Sequence, residues 1–124
     1  MTALYIIIGA AVGAPSRFLL DQYLRKLIKY PLGIMVVNVL GSFVIGLTVA
    51  HPRSSSVYVR VGYVDNMRAL VAIGFAGAFT TWSTFILDLY LAFELKQYKN
   101  LAKNLVLSLT LGIGAVWLGM SLVK

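Results

Sequence analysis

Apolar residues fall into four runs along this chain, at positions 3–20, 31–50, 69–93 and 101–123, with charged and polar residues gathered between them. A helix needs about 20 apolar residues to cross a hydrocarbon core, so each run is long enough or nearly so. The pattern predicts an all-α membrane protein with transmembrane helices over about 3–22, 31–50, 69–94 and 101–123, forming one four-helix domain over residues 1–124. The first run lacks a basic amino-terminal region and exceeds the usual apolar stretch of a signal peptide, so it reads as a retained helix.

The third run differs from the others. Its centre, residues 74–85, reads Gly-Phe-Ala-Gly-Ala-Phe-Thr-Thr-Trp-Ser-Thr-Phe. Thr80, Thr81, Ser83 and Thr84 place four hydroxyls in five positions, while Gly74 and Gly77 allow backbone conformations that other residues resist. Irregular backbone survives at membrane depth only where protein buries it or a polar cavity takes it up. The cluster therefore predicts a third helix broken near its centre, with carbonyl oxygens freed to replace the hydration shell of a small cation. The plainer alternative is an unbroken helix packed through its small residues. Phe75, Phe79, Trp82 and Phe85 flank the segment. Aromatic rings have a positive edge, so ring edges with hydroxyl and amide donors can solvate a small anion without a fixed cation that would trap it.

Polar positions in the other runs are sparser. Gly9 and Gly13 stand one turn apart in the first, and Gly112, Gly114 and Gly119 punctuate the last; both patterns predict close helix contact. Arg17 follows Pro15 and Ser16 and reads either as an interface residue or as a tether to a neighbouring carbonyl. Asn38 in the second run is either interhelical glue or a donor to an anion. Asn104 and Ser108 share a helical face through their spacing of four. The connection at 51–67 carries His51, Pro52 and three successive serines, with no catalytic constellation.

Composition agrees with the membrane reading: 60% of residues are hydrophobic and 12% charged, with no cysteine, and mean hydropathy is +0.86. The net charge of +7 would suggest nucleic acid on a soluble protein. Here the basic residues lie in connections and at helix ends, where they face lipid headgroups, so no nucleic-acid partner is expected. Seven of them (Arg17, Arg25, Lys26, Lys29, Lys96, Lys99 and Lys103) fall on one side, against Arg53, Arg60, Arg68 and Lys124 on the other. The excess is modest and leaves insertion in both orientations open.

The segment Gly74 to Phe85 resembles the signature of the Fluc (CrcB) fluoride-channel family. Three more pieces match in order: the glycine-rich stretch from Gly9 to Arg17; Gly33, Val37-Asn38 and Gly41-Ser42-Phe43 after Pro31; and Asn104 to Ser108. The resemblance covers nearly the whole chain. It implies an antiparallel, dual-topology dimer with two narrow fluoride pathways at the subunit interface. It also implies a structural Na⁺ held by backbone carbonyls of Gly77 and Thr80 from each subunit. The family's paired phenylalanines fall on Trp82 and Phe85, its pore asparagine on Asn38, and a polar pathway position on Ser108; Thr81 and Ser83 are further pathway candidates, and Arg17 and Gly74 structural ones. Two positions depart from the pattern: Trp82 stands for the usual phenylalanine, and Ile34 for a threonine one turn before Asn38.

What the resemblance implies is passive export of fluoride through the cell membrane by a multi-pass channel that is not an enzyme. A subunit of a heteromeric channel, paired with a homologous partner, is an alternative that the charge bias and the two departures favour. A small proton-coupled multidrug exporter is a third. It needs a membrane-embedded carboxylate, for which Asp88 is the candidate, since Asp21 lies near the end of its span.

Overall fold

The computed structural model describes residues 1–28, 33–49 and 66–123. Pro31 and the connection bearing His51, Pro52 and the serines lie outside the described residues. The described elements are all helical: α1 (Thr2–Leu27), α2 (Gly33–Val49), α3 (Arg68–Ala76, wound as a π-helix, with the α-turn Gly77–Phe79), α4 (Trp82–Glu94) and α5 (Tyr98–Leu122). Thr2–Leu27, Arg68–Glu94 and Tyr98–Leu122 are long and apolar enough to cross a membrane, and Gly33–Val49 is a shorter apolar helix.

Helix α1 continues through Pro15 and beyond the expected end of its apolar run. Proline removes one amide and crowds the carbonyl four residues back. The next residue helps to hold the turn, its hydroxyl donating from Ser16 to the Val12 carbonyl at 2.7 Å. The last turns are polar and are fastened by Arg25 Nε donating to Asp21 Oδ2 at 2.9 Å, an i,i+4 pair that supports a helix surface. Arg25 and Lys26 also sit where the helix dipole favours cations. At 26 residues, α1 is about 39 Å long, which exceeds a typical core of about 30 Å and carries these charges towards the headgroups.

Two glycine crossings set the packing, α1 against α3 and α2 against α5. At the first, a Cβ on Gly74 would lie 2.6 Å from the Ile6 carbonyl oxygen and 3.0 Å from Gly9 Cα, and one on Gly9 would lie 2.7 Å from the Phe75 nitrogen. Gly13 abuts the Phe75 carbonyl. Backbone therefore touches backbone. The wide i→i−5 winding of α3 closes with the Gly77 amide donating to the Ala72 carbonyl. At the second crossing, Gly46 meets Val116, and a Cβ on Gly119 would stand 2.6 Å from the Phe43 carbonyl oxygen. The other two glycines of α5 do not share this role. Gly112 has only the Ser42 hydroxyl at 3.7 Å, and Gly114 has nothing within 4 Å.

Between these crossings the buried apolar side chains are few: Ile34, Val37, Ala69, Ala76, Phe79 and Phe85. Large apolar residues on every helix are instead exposed, which suits a chain whose solvent is lipid. Helix α4 ends in a Schellman turn, with the Gln97 amide donating to Ala92 and the Lys96 amide to Phe93. Lys96 takes the left-handed position at φ 55°. The turn brings α5 back along the bundle with Phe93 and Tyr98 in edge contact, centroids 5.8 Å apart.

Candidate functional site

Thr80 and Thr81 are extended, at φ −80°, ψ 155° and φ −148°, ψ 126°. They separate the α-turn ending at Phe79 from α4. Two extended residues leave backbone groups without their helical partners, and at membrane depth these must be satisfied by side chains or ligands. The chain supplies several of the partners itself.

Asn38, in the middle of α2, serves Thr81 from both ends of its carboxamide. Its Nδ2 donates to the Thr81 carbonyl at 3.1 Å, and its Oδ1 accepts from the Thr81 amide at 2.9 Å. The pair mimics one rung of a β-ladder. Of the two roles open to Asn38 from sequence, interhelical glue is occupied in this arrangement, while one N–H of the amide group is left over. The Thr81 hydroxyl then starts α4 as its N-cap, accepting from the Thr84 amide at 3.4 Å and donating to the Thr84 hydroxyl at 3.3 Å. Ser83 Oγ is 3.4 Å from Thr81 Oγ1, on the exposed side.

These bonds have a consequence for two carbonyls. In a continuous helix the Gly77 carbonyl would accept from the Thr81 amide, and the Thr80 carbonyl from the Thr84 amide. Both amides are diverted, to Asn38 Oδ1 and to Thr81 Oγ1. Carbonyls without their helical donors are the chemistry from which a small hard cation is coordinated, so Gly77 and Thr80 fit a sodium ion by donor type. Thr80 is otherwise secured, its amide and its hydroxyl both donating to Ala76 at 2.9 Å, with its methyl group set against Gly41.

The aromatic residues divide by exposure. Phe85 is 3% exposed and Trp82 70%, although the two stand three apart on one side of α4. Their rings still touch, with centroids 5.6 Å apart at 48°. Phe75 and Phe79 stack on the other side of the extended residues at 5.4 Å. Gly77 is exposed, as Trp82 and Ser83 are.

The remaining sequence candidates lie farther out. On α5 the Ser108 hydroxyl donates to Asn104 Oδ1 at 3.1 Å, which joins the two as their spacing predicts. Neither makes a hydrogen bond to the Thr80–Thr81 segment. Gly74 belongs to the α1 crossing. Arg17 is half-buried and makes no hydrogen bond or ion pair among the described residues, which supplies no tether. Ile34 is buried at 3% exposure, an apolar side chain one turn before Asn38.

One polar group was not assembled by sequence reasoning. Arg25 of α1 pairs with Asp21 at 2.9 Å and also reaches Asp88 of α4, Nη2 to Oδ1, at 3.8 Å. Asp88 is 7% exposed. The i,i+4 spacing of Asp21 and Arg25 was visible in the chain; the contact to Asp88, 63 residues from Arg25, had no local signal.

Comparison with known proteins follows the same span. The family described as "CrcB-like protein, Camphor Resistance (CrcB)" matches residues 4–120. A Vibrio vulnificus protein named "Fluoride-specific ion channel FluC" is 36% identical over 122 residues, covering 97% of this chain and 93% of the relative. Proteins of the same name from Campylobacter lari, 33% identical over 99% of this chain and 98% of theirs, and Parabacteroides distasonis, 37% identical over 96% and 90%, agree. With four apolar helices and this match from one end of the fold to the other, the chain is a multi-pass membrane protein and belongs to the CrcB family.

Proposed function

We propose that this chain forms a fluoride-selective channel that lets fluoride leave the cell passively across the plasma membrane. The name of its relatives supports the ion, and the observation that carries the reading in this chain is the Asn38–Thr81 pairing. That pairing holds an extended segment of hydroxyls and ring edges between two helical turns. Arg68–Glu94 acts in this reading as one membrane span interrupted at Thr80–Thr81. Fluoride enters acidic surroundings as a neutral weak acid, dissociates in the cytoplasm and is trapped; a selective pathway lets a membrane potential negative inside expel it. No coupling chemistry is required, and the reaction is transport, not enzymic conversion.

The pathway runs past Phe85 and Trp82, with Asn38, Thr81, Ser83 and Ser108 supplying donors. Ring edges and neutral N–H and O–H groups stabilise an anion weakly enough for it to leave, which conduction requires. One subunit leaves Gly77, Trp82 and Ser83 exposed, so the active unit is a dimer, with the subunits antiparallel as the resemblance implies. At that interface the carbonyls of Gly77 and Thr80 from two subunits would hold a structural Na⁺, whose charge would fix the two extended segments relative to each other. Purified protein in liposomes loaded with fluoride should release it on addition of a potassium ionophore, and chloride-loaded controls should not. Absence of fluoride release from the chain alone and with a homologous partner would overturn the reading.

A heteromeric channel is the second reading, favoured by Trp82 and Ile34 and by the seven-to-four distribution of basic residues. Release only when a homologous subunit is supplied would select it. The exporter reading finds no support among the relatives, which are named fluoride-specific channels.

A further inference from the structure

We infer that Arg25 is an electrostatic positioning residue for the anion pathway, acting through Asp88. This rests on the fluoride-channel reading above. Asp88 follows Phe85 by three residues on α4, and these are the two buried side chains of that helix. Residues three apart share a helical face. A carboxylate therefore sits one turn beyond the ring assigned to guide an anion, at the level where α1 ends. Left alone there it would repel the permeating ion and would itself be costly to bury.

Arg25 is the group that opposes this charge. It is the sole cation within ion-pair distance of Asp88 among the described residues, and it reaches from a different helix. Its charge is shared. Asp21 takes the closer contact at 2.9 Å, leaving Asp88 at 3.8 Å. Among the described residues Asp21 Oδ1 and Asp88 Oδ2 are both buried without a hydrogen-bond partner, and the cluster has two carboxylates against one guanidinium. The device is thus a competition: Asp21 holds Arg25 in place and draws part of its charge away from Asp88. The balance sets how negative the pathway is one turn beyond Phe85.

Four variants separate this from a simple tether between α1 and α4. Arg25→Gln should lower fluoride release about tenfold, because an unopposed fixed charge of the permeant ion's sign depletes it locally. Asp88→Asn should leave release at or above the wild-type level. The double variant R25Q/D88N decides: with no carboxylate to oppose, Arg25 becomes dispensable, and release should return to within about threefold of Asp88→Asn, a coupling read as in any double-mutant cycle. Arg25→Lys, which keeps the charge but loses the two-pronged reach, should retain most of the release. Elution as a single assembled species in detergent checks that each variant is folded. A folded double variant as slow as Arg25→Gln would overturn the inference and leave a tether. If the wild-type protein releases no fluoride in the same vesicles, the channel reading falls and this inference with it; wild-type release without coupling removes this inference alone.

Discussion

The α1–α3 crossing and the Thr80–Thr81 segment lie on the same stretch of chain, yet they are held by opposite means. At the crossing, Gly9, Gly13 and Gly74 contribute nothing but backbone, and cohesion comes from close approach of two helices. At the extended segment, directed hydrogen bonds replace close helix approach. The segment is held by the carboxamide of Asn38 and the hydroxyls of Thr80 and Thr81. The first region tolerates no added atom. The second tolerates no lost donor or acceptor. A membrane protein this small has little buried apolar side chain to spend on rigidity, so it obtains a fixed framework from glycine contacts and a shaped polar segment from a few directed bonds.

Breaking the framework should have the largest effect on folding. In Gly74→Ala the new methyl carbon meets the Ile6 carbonyl at 2.6 Å and Gly9 Cα at 3.0 Å, neither of which can rotate aside. Overpacking against backbone costs about 3 kcal/mol, at the upper end of the usual range. The expected outcome is a large fall in the detergent melting temperature and in the yield of assembled protein. Gly119→Ala should behave alike, since its Cβ meets the Phe43 carbonyl at 2.6 Å. A Gly74→Ala protein that melts with the wild type would show that α3 can move away from α1 at little cost.

Removing the polar clamp should cost less stability and more function. Asn38→Ala strands the amide and the carbonyl of Thr81, in bonds that are only part-buried, so the combined loss is about 1–2 kcal/mol, as for the net loss of two ordinary hydrogen bonds. Water or lipid headgroups reaching the segment would reduce that figure. Fluoride release should fall at least about tenfold, the equivalent of 1.4 kcal/mol at the barrier, while the melting temperature falls less than in Gly74→Ala. Asn38→Asp keeps the acceptor for the Thr81 amide but sets a carboxylate oxygen against the Thr81 carbonyl and adds a charge repelling the anion, so it should be no more stable than Asn38→Ala and lose release at least as fully. Equal stability losses in Gly74→Ala and Asn38→Ala would erase the distinction between framework and clamp.

The same contrast governs what the chain revealed in advance. Apolar runs predict helices because burial in lipid acts on composition, and the four runs correspond to α1, α2, the stretch Arg68–Glu94 and α5. Gly9 and Gly13 were legible as a contact stripe. Gly114 looked equally like one and touches nothing, because a glycine's spacing does not say which face its neighbour occupies. Charged residues hid the last turns of α1, where an Asp21–Arg25 pair extends the helix past its apolar limit. The π-winding of Arg68–Ala76 had no signal in the local pattern. Around the site, Thr81 and Asn38 were both picked out as candidates, but 43 positions separate them, and their mutual bonding exists only once α2 and α4 are placed.

Gly41 tests the seam between the two regions, and its effect should be the smallest. Its Cα faces the methyl group of Thr80, so Gly41→Ala pushes on a side chain of the extended segment, where Gly74→Ala pushes on backbone. Thr80 can yield by rotating its side chain, at the cost of the bond its hydroxyl donates to the Ala76 carbonyl at 2.9 Å, about 1 kcal/mol net. The expected cost is about 1 kcal/mol, the lower end for an overpacked site, with a modest fall in fluoride release. Thr80→Ser removes the offending methyl and keeps the hydroxyl, so the pair G41A/T80S should recover both stability and release. Recovery of stability without release would mean that the Thr80 methyl itself shapes the pathway. No recovery of either would mean that Gly41 is needed for the approach of α2 to the backbone of the extended segment, which would place the seam within the glycine framework.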